Sequence, residues 1–408
     1  MKILMLTPYL PYPPSSGGQV RSYNLIKNLS RDHEITLFSL IKNDEEKKFI
    51  KELEKYCKKV LVFNRPTKPW TLKNIIRTGF SLFPFLVIRN LSLQEKKTLT
   101  NELKNEKYDL IHAETFYVMP HIPETNIPIL LVDQTIEFQV YQHFVKSNKK
   151  WFLKPFLYLD IYKIKYWELK FWRKANKVVA VSQSDRLKMI KLVPGLDVGI
   201  VPNGAGEDLL KIYNERKTNE NKIVFFQANF SWLQNIEAAE NLAKKVFPLI
   251  LKIEPRAKCL IAGQNALRKI NYLKDKQIEI IDLENSDIEG VLDAYKRATV
   301  FVAPLEGPGG TRLKVLGAMA AGVPIVTSKI GIEGIDASDN INVLLANSWK
   351  DMAEKTVLLL KDKKLYSKLV VNARKLVEDK YSYKSIAKTL QEMYKEVANT
   401  KKKTTNEQ

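Results

Sequence analysis

The strongest constraint on this chain is an alternation of short apolar runs with helical segments, which starts at the N-terminus and starts again halfway. KILMLT (2–7), EITLFSL (34–40), KVLVFN (59–64), DLIHA (109–113), IPILLVD (127–133) and KVVAVS (177–182) are short, apolar and flanked by polar or turn-forming residues. Between them, 20–29, 93–106 and a long region at 136–176 read as helices. Continuously apolar strands that alternate with helices require a parallel sheet covered on both faces. After VPNG (201–204) and the polar KTNENK (217–222) the series restarts with KIVFFQ (222–227), AKCLIAG (257–263), IEIID (278–282), TVFVAP (299–304) and VPIV (323–326). The expectation is an α/β chain of two doubly wound domains, 1–203 and 204–383, then a helix at 384–398 and a disordered tail at 399–408.

Composition narrows the class. The 408 residues, 45% hydrophobic, are enough for two real cores. Net charge is +21, and the first 200 residues hold 33 of the 66 Lys/Arg but only 19 of the 45 Asp/Glu. The two cysteines, Cys57 and Cys259, fall in different halves, so free thiols in a reducing, cytoplasmic setting are expected. The start, MKILMLTPYLP, has too short an apolar run for a signal peptide, and GFSLFPFLVI (79–88) is too short to span a bilayer.

Ligands of doubly wound sheets bind beyond the carboxyl ends of the strands. Two loops there have a composition suited to anions. In LEGPGGTRLKVLGAMAAG (305–322), glycines run into a helix expected to start near Thr311. Bare backbone and unpaired first-turn N–H groups suit a phosphate. Arg312 and Lys314 sit in that first turn, where a cation is disfavoured by the helix dipole alone, so an anionic partner is indicated. Gly317 lies mid-helix, where glycine costs about 1 kcal/mol relative to alanine. In PPSSGGQVRSYNLIKNL (13–29), Gly17 and Gly18 lead into a helix with Arg21 on its first turn; this reads equally as a structural turn or a second anion or hydroxyl site.

Taken together, SSGGQVRSYNLIKNL, VVAVSQSD, VPNG, FSWLQNIEA, CLIAG and GGTRLKVLGAMAAGVPIVTSKIGIEGI resemble the retaining family-4 glycosyltransferases of the GT-B fold, in order, over about residues 1–397. The resemblance implies two Rossmann-like domains facing across a cleft. It implies a nucleotide-sugar donor, UDP- or GDP-linked, on the C-terminal domain, an acceptor on the N-terminal domain, no metal and no separate cofactor, and a last helix crossing back to the N-terminal domain. Carried over residue by residue, the donor side comprises Gly17, Gly18, Gly309, Gly310, Thr311, Arg312, Leu313, Lys314 and Gly317. Arg21 and Glu114 fall on the acceptor side, and His112 and Glu306 are the catalytic candidates. The sequence departs from the family at three places. The two glutamates the family spaces around this loop are Gly309 and Gly317 here, QANFSWLQN lacks the family's basic pair, and the sugar-contacting histidine has two homes, His112-Ala113-Glu114 or Gln134-Thr135-Ile136-Glu137. A lone histidine in a buried strand serves packing more often than catalysis, and both readings of His112 stand on sequence alone.

The stretch 146–177 carries ten Lys/Arg against Asp160 and Glu168, with three Trp, three Tyr and three Phe, and 67–90 is likewise basic and aromatic. Such segments suit a peripheral site on an anionic membrane, although part of each must fill a core. No nucleic-acid module is present. The expected activity is sugar transfer to a glycan or lipid-linked acceptor in cell-envelope polysaccharide synthesis, at the inner membrane face. A non-catalytic relative that binds a glycan or partner subunit is the alternative, and a nucleotide-sugar epimerase a third reading.

Overall fold

The computed structural model describes the chain except residues 66–70, 148–150, 216–221, 285–286, 308–311 and 407–408. The chain divides into two compact units, the first formed by residues 1–202 and 387–408 and the second by 203–386.

In the first unit the strands are β1 (Lys2–Thr7), β2 (Glu34–Ile41), β3 (Lys59–Asn64), β4 (Leu110–Glu114), β5 (Ile129–Asp133), β6 (Lys177–Ala180) and β7 (Val198–Ile200), all parallel, in the order β3-β2-β1-β4-β5-β6-β7. The second unit orders β8 (Ile223–Gln227), β9 (Lys258–Gly263), β10 (Ile278–Asp282), β11 (Val300–Ala303), β12 (Ile325–Thr327) and β13 (Leu344–Leu345) as β10-β9-β8-β11-β12-β13, again parallel. Two parallel α/β sheets are what the alternating pattern requires. In each, strand order reverses beside the unit's first strand, and crevices for ligands open at such switch points.

The helices used below are α1 (Gly17–Leu29), α2 (Leu72–Phe80), α3 (Glu137–Ser147), α4 (Lys154–Lys174), α5 (Leu233–Glu240), α6 (Ile288–Arg297), α7 (Leu313–Ala320) and α8 (Tyr383–Asn406). The region read as helical over 136–176 holds α3, a short helical turn at Trp151–Leu153 and α4. The structure sets two boundaries differently. The helix expected to start near Thr311 starts at Leu313. It closes on Gly322 at φ +68°, the left-handed position glycine takes most cheaply after a helix. The tail expected to be disordered from 399 instead continues α8 to Asn406.

α8 begins in the second unit but lies mostly in the first, where Gln391 donates to Asp32 and Glu396 pairs with Lys177. The two cysteines are free and buried. In the second unit the turn after β9 admits only glycine: Gly263 has φ +147°, and a Cβ there would sit 1.8 Å from the Ala228 carbonyl oxygen. Gly263→Ala is therefore expected to destabilise the second unit by at least about 2 kcal/mol. Chemical denaturation followed by near-UV circular dichroism would measure this, and a wild-type midpoint would refute the steric account.

Candidate functional site

In the second unit the site is built around the start of α7. Burial of Val315, Leu316, Ala318 and Met319 sets the helix into the core, which leaves its N-terminal end at the carboxyl edge of the sheet. Gly309, Gly310 and Thr311 lie outside the described residues, so the anchoring is carried by what flanks them. Arg312 is buried; its Nη2 donates to the Gly307 carbonyl (2.7 Å) and its Nε reaches the Ile330 carbonyl (3.4 Å). The guanidinium thus ties Gly307 to the turn that follows β12. Its neighbour Leu313 opens the helix, half-buried against the core. Lys314 donates to Asn235 Oδ1 at the start of α5 and lies 5.3 Å from the Phe226 ring centroid.

No Arg or Lys occurs in the segment after β8, which instead closes on itself through amides. Asn235 Nδ2 donates to the Asn229 carbonyl (2.7 Å), and the Phe230 N–H donates to Gln264 (2.9 Å). The charge absent there is brought by α7, because Lys314 reaches into the same segment. Burial first, then the nearby Arg312 guanidinium, pushes the Lys314 ammonium down to about 7. Glu306 is exposed, and its carboxylate accepts from Asn241 Nδ2 (3.1 Å).

Gly317 is buried, and it does not face open space. A Cβ there would lie 2.9 Å from Tyr295 Oη and 3.1 Å from a Leu209 methyl. Tyr295, on α6, is itself buried between Phe225 (ring centroids 5.0 Å) and Phe301 (6.5 Å), and its hydroxyl reaches the Lys314 carbonyl (3.4 Å). The missing side chain is thus explained by a ring that stands over the helix.

In the first unit the expected acceptor-side residues come together, but as a buried ion network. Arg21 is fully buried; Nε donates to Glu114 Oε1 (3.2 Å), and Nη1 donates to the carbonyls of Val201 (3.1 Å) and Pro202 (2.8 Å). His112 lies in the middle of the sheet, opposite Met5 on one side and Leu130 on the other. Its Nε2 meets Glu114 Oε2 (2.7 Å) and its Nδ1 meets the Tyr394 hydroxyl from α8. A carboxylate only accepts, so Nε2 carries the proton and, in the neutral ring, Nδ1 accepts from the tyrosine. Both nitrogens are engaged and the ring is fully buried. The structure thus gives His112, Arg21 and Glu114 partners within the first unit, with the His112 nitrogens and the Arg21 guanidinium turned to other protein groups. Burial alone would raise the Glu114 carboxyl, but the His112 hydrogen bond and the Arg21 charge outweigh it and hold it below the usual carboxylate range.

Gly18 is accounted for by close approach: a Cβ there would sit 2.2 Å from Tyr9 Oη. Gly17 opens α1, and the preceding loop folds back through Gln19, which donates to the Leu10 carbonyl (2.9 Å). The second proposed home of the histidine holds polar groups nearer solvent. Gln134 donates to Glu114 (2.8 Å) and reaches Tyr9 Oη (3.3 Å), and Thr135 donates to Glu137 (2.9 Å).

Behind these lies an acidic cluster that the sequence reading missed. Asp133 accepts from the Phe116 N–H and from Trp172 Nε1, and Glu168 accepts from the N–H groups of Glu137 and Phe138 at the start of α3. Burial pushes Asp133 up to about 8, and Glu137 and Glu168 are raised for the same reason. The only cue in the sequence was that Asp133 closes a strand and Glu137 opens a helix.

With this geometry in place, comparison with known proteins bears on the family. Residues 15–208 match the family described as Glycosyltransferase Family 4, and residues 221–362 match Glycosyl transferases group 1. The two matches lie one in each half of the chain, and both are to glycosyltransferases. Sequence similarity extends to an uncharacterized 44.6 kDa protein in the cps region of Klebsiella pneumoniae, 24% identical over 395 residues that cover 94% of this chain and 97% of the relative. Among solved structures, TarM superposes with a TM-score of 0.65 at 12% identity, covering 96% of this chain and 98% of TarM. Anabaena Alr3699/HepE, solved in complex with UDP and glucose, superposes at 0.61 and 14% identity, covering 97% of this chain and all of the other. These likenesses establish the fold as GT-B. The glycosyltransferase match to 221–362 contains Arg312, Lys314 and Gly317, and the match to 15–208 contains the buried network.

Two outcomes test the roles assigned here. Gly317→Ala should cost about 1–2 kcal/mol despite alanine's better helix propensity, and Tyr295→Phe in the same chain should recover part of it, because the hydroxyl is the tighter of the two contacts and the Leu209 methyl remains. Glu114→Ala leaves Arg21 buried without its carboxylate and should cost about 3–5 kcal/mol. Urea titrations of the variants read both, and an undiminished midpoint in either would remove the corresponding role.

Proposed function

We propose that this chain transfers a sugar from a nucleotide diphosphate-sugar to a glycan or lipid-linked acceptor of the cell envelope, with retention of configuration and no metal, at the inner face of the membrane. The observation that carries the reading is the pairing of Arg312 with a half-neutral Lys314 at the start of α7. A diphosphate leaving group needs preorganised positive charge where its own charge develops. Arg312, held by two carbonyls, is fixed in place and always charged. Lys314 stands ready to take a proton when an anion arrives. The first-turn N–H groups of α7 add to these donors. That HepE was solved with UDP and glucose supports a uridine donor over a guanosine one. Glu306, exposed at the loop, is a carboxylate for a sugar hydroxyl, and Glu137 with Gln134 offers acceptor hydroxyls a polar edge on the first unit.

Gly317 favours a second reading, in which the chain binds a nucleotide or glycan without turning it over, because the ribose acceptor usual in the family is absent. Product formation separates the two.

The lysine supplies a direct test. At pH 6 Lys314 is already charged, whereas at pH 8 it is mostly neutral and must take up a proton to meet a diphosphate. Calorimetric titration with UDP in buffers of different ionisation enthalpy should therefore show close to one more proton taken up at pH 8 by the natural protein than by Lys314→Arg. The two should be alike at pH 6. Lys314→Ala should weaken UDP about 10- to 100-fold. If neither UDP nor GDP binds the natural protein, the donor-site reading falls.

A further inference from the structure

A surface on the first unit carries an inference that goes past the donor site. It deepens the transfer reading by naming where a lipid-linked acceptor would be met. In α2 the usual arrangement of an amphipathic helix is inverted. Polar Asn74 is buried, while Ile75, Ile76 and Phe80 face outward, Phe80 at 94% exposure. Leu82, just beyond the helix, is 83% exposed. Packing pins this arrangement against α4. Lys163 Nζ donates to the carbonyls of Thr78 (2.9 Å) and Ser81 (2.8 Å), Trp167 Nε1 donates to the Leu82 carbonyl (2.9 Å), and the Phe85 N–H donates to Asp160 (2.9 Å).

α4 is apolar on two opposite sides. Ile161, Ile164, Glu168, Phe171 and Trp172 form its buried stripe. The opposite face begins with Phe156 (74% exposed), Leu159, Tyr162 (71%) and Tyr166, where a water-facing helix would carry polar residues. Cations alone border this face: Arg77, Lys165, Lys170 and Arg173 are exposed, whereas the acids of α4 are the fully buried Glu168 and Asp160, which is bonded to the Phe85 N–H. Exposed aromatics and aliphatics bordered by cations, with no exposed acid on α2, α3 or α4 among the described residues, match the chemistry of an anionic bilayer interface, where apolar groups enter and cations meet headgroups. No helix among the described residues is long and apolar enough to cross a membrane, so the match is to a surface. A second copy of the chain fits less well, because a two-fold pairing through this face would set its cations against themselves.

We propose that the outward face of α2 and α4 docks the chain onto anionic phospholipid, Phe80, Leu82, Phe156 and Tyr162 entering the interface and Lys165 and Lys170 meeting headgroups. The full chain would be floated with vesicles of phosphatidylglycerol and phosphatidylcholine, and with phosphatidylcholine alone. The expected result is binding to the anionic vesicles, weakened about tenfold or more by Phe80→Ser with Phe156→Ser, and separately by Lys165→Ala with Lys170→Ala. UDP binding by the same samples serves as the control for folding. It also keeps failure here distinct from failure of the transfer reading, since the substituted face is remote in sequence from Arg312 and Lys314. Anionic-vesicle binding that survives both pairs of substitutions would overturn the proposal. So would absence of vesicle binding from a chain that size-exclusion chromatography with light scattering shows as a dimer, made monomeric by the phenylalanine substitutions; that result would assign the face to a second copy.

Discussion

The first unit depends on one buried ion pair. Arg21 and Glu114 are both fully withdrawn from water, an arrangement that is unfavourable unless nearly every donor and lone pair is satisfied. Here the partners come from widely separated parts of the chain. Glu114 takes hydrogen bonds from Arg21 on α1, from His112 on its own strand and from Gln134 beyond β5. Arg21 spends Nη1 on the carbonyls of Val201 and Pro202, the last residues of the first unit before the chain leaves it. His112 then reaches Tyr394, where the chain has returned as α8. One charge pair therefore fixes both the exit and the return of the chain, and the residues that resemble a sugar site are committed to that task.

The second unit solves a different electrostatic problem. Its candidate site has two cations near the start of a helix, a position the dipole disfavours, and no carboxylate at 317 to balance them. Glu333 acts on Arg312, but for Lys314 the two influences are burial and Arg312, and both lower it. The protein tolerates the lysine by leaving it charged only about half the time near pH 7. Tyr295 occupies the ground a side chain at 317 would need, and its hydroxyl leans on the Lys314 carbonyl, so the tyrosine, the glycine and the depressed lysine are one arrangement.

Most of the scaffold was legible because parallel strands buried on both faces leave continuous apolar runs, and every run named became a strand within a residue or two. The strands that no run announced are β7 and β13, three and two residues long, too short to leave any periodic signal. The site was harder to read. Whether His112 faced a ligand or the core depended on Tyr394, 282 residues away, and no local pattern carries that information. Gly18 and Gly317 look alike in sequence to glycines that admit a phosphate, yet each is explained by a tyrosine brought against it through the tertiary fold. The acidic residues behind Gln134 were hidden because Asp133, Glu137 and Glu168 read singly as a strand end, a helix start and a mid-helix charge.

The aromatic density of α4 shows why such a helix resists classification by pattern. A helix between core and water has one apolar side, and its periodicity announces it. A helix with apolar residues on two opposite sides has contributions that cancel, so α4 shows little periodicity although its apolar residues sort cleanly into a buried and an exposed side. What separates the two sides is the company each keeps. The inner side includes Glu168, which caps the start of α3, and Trp172, which donates to Asp133; both are polar handles satisfied within the fold. The outer side has tyrosines with cations around them, and among the described residues of α2, α3 and α4 no exposed acid stands beside those cations. If this face meets anionic lipid as proposed, part of the charge excess of the first half of the chain has its physical reason there.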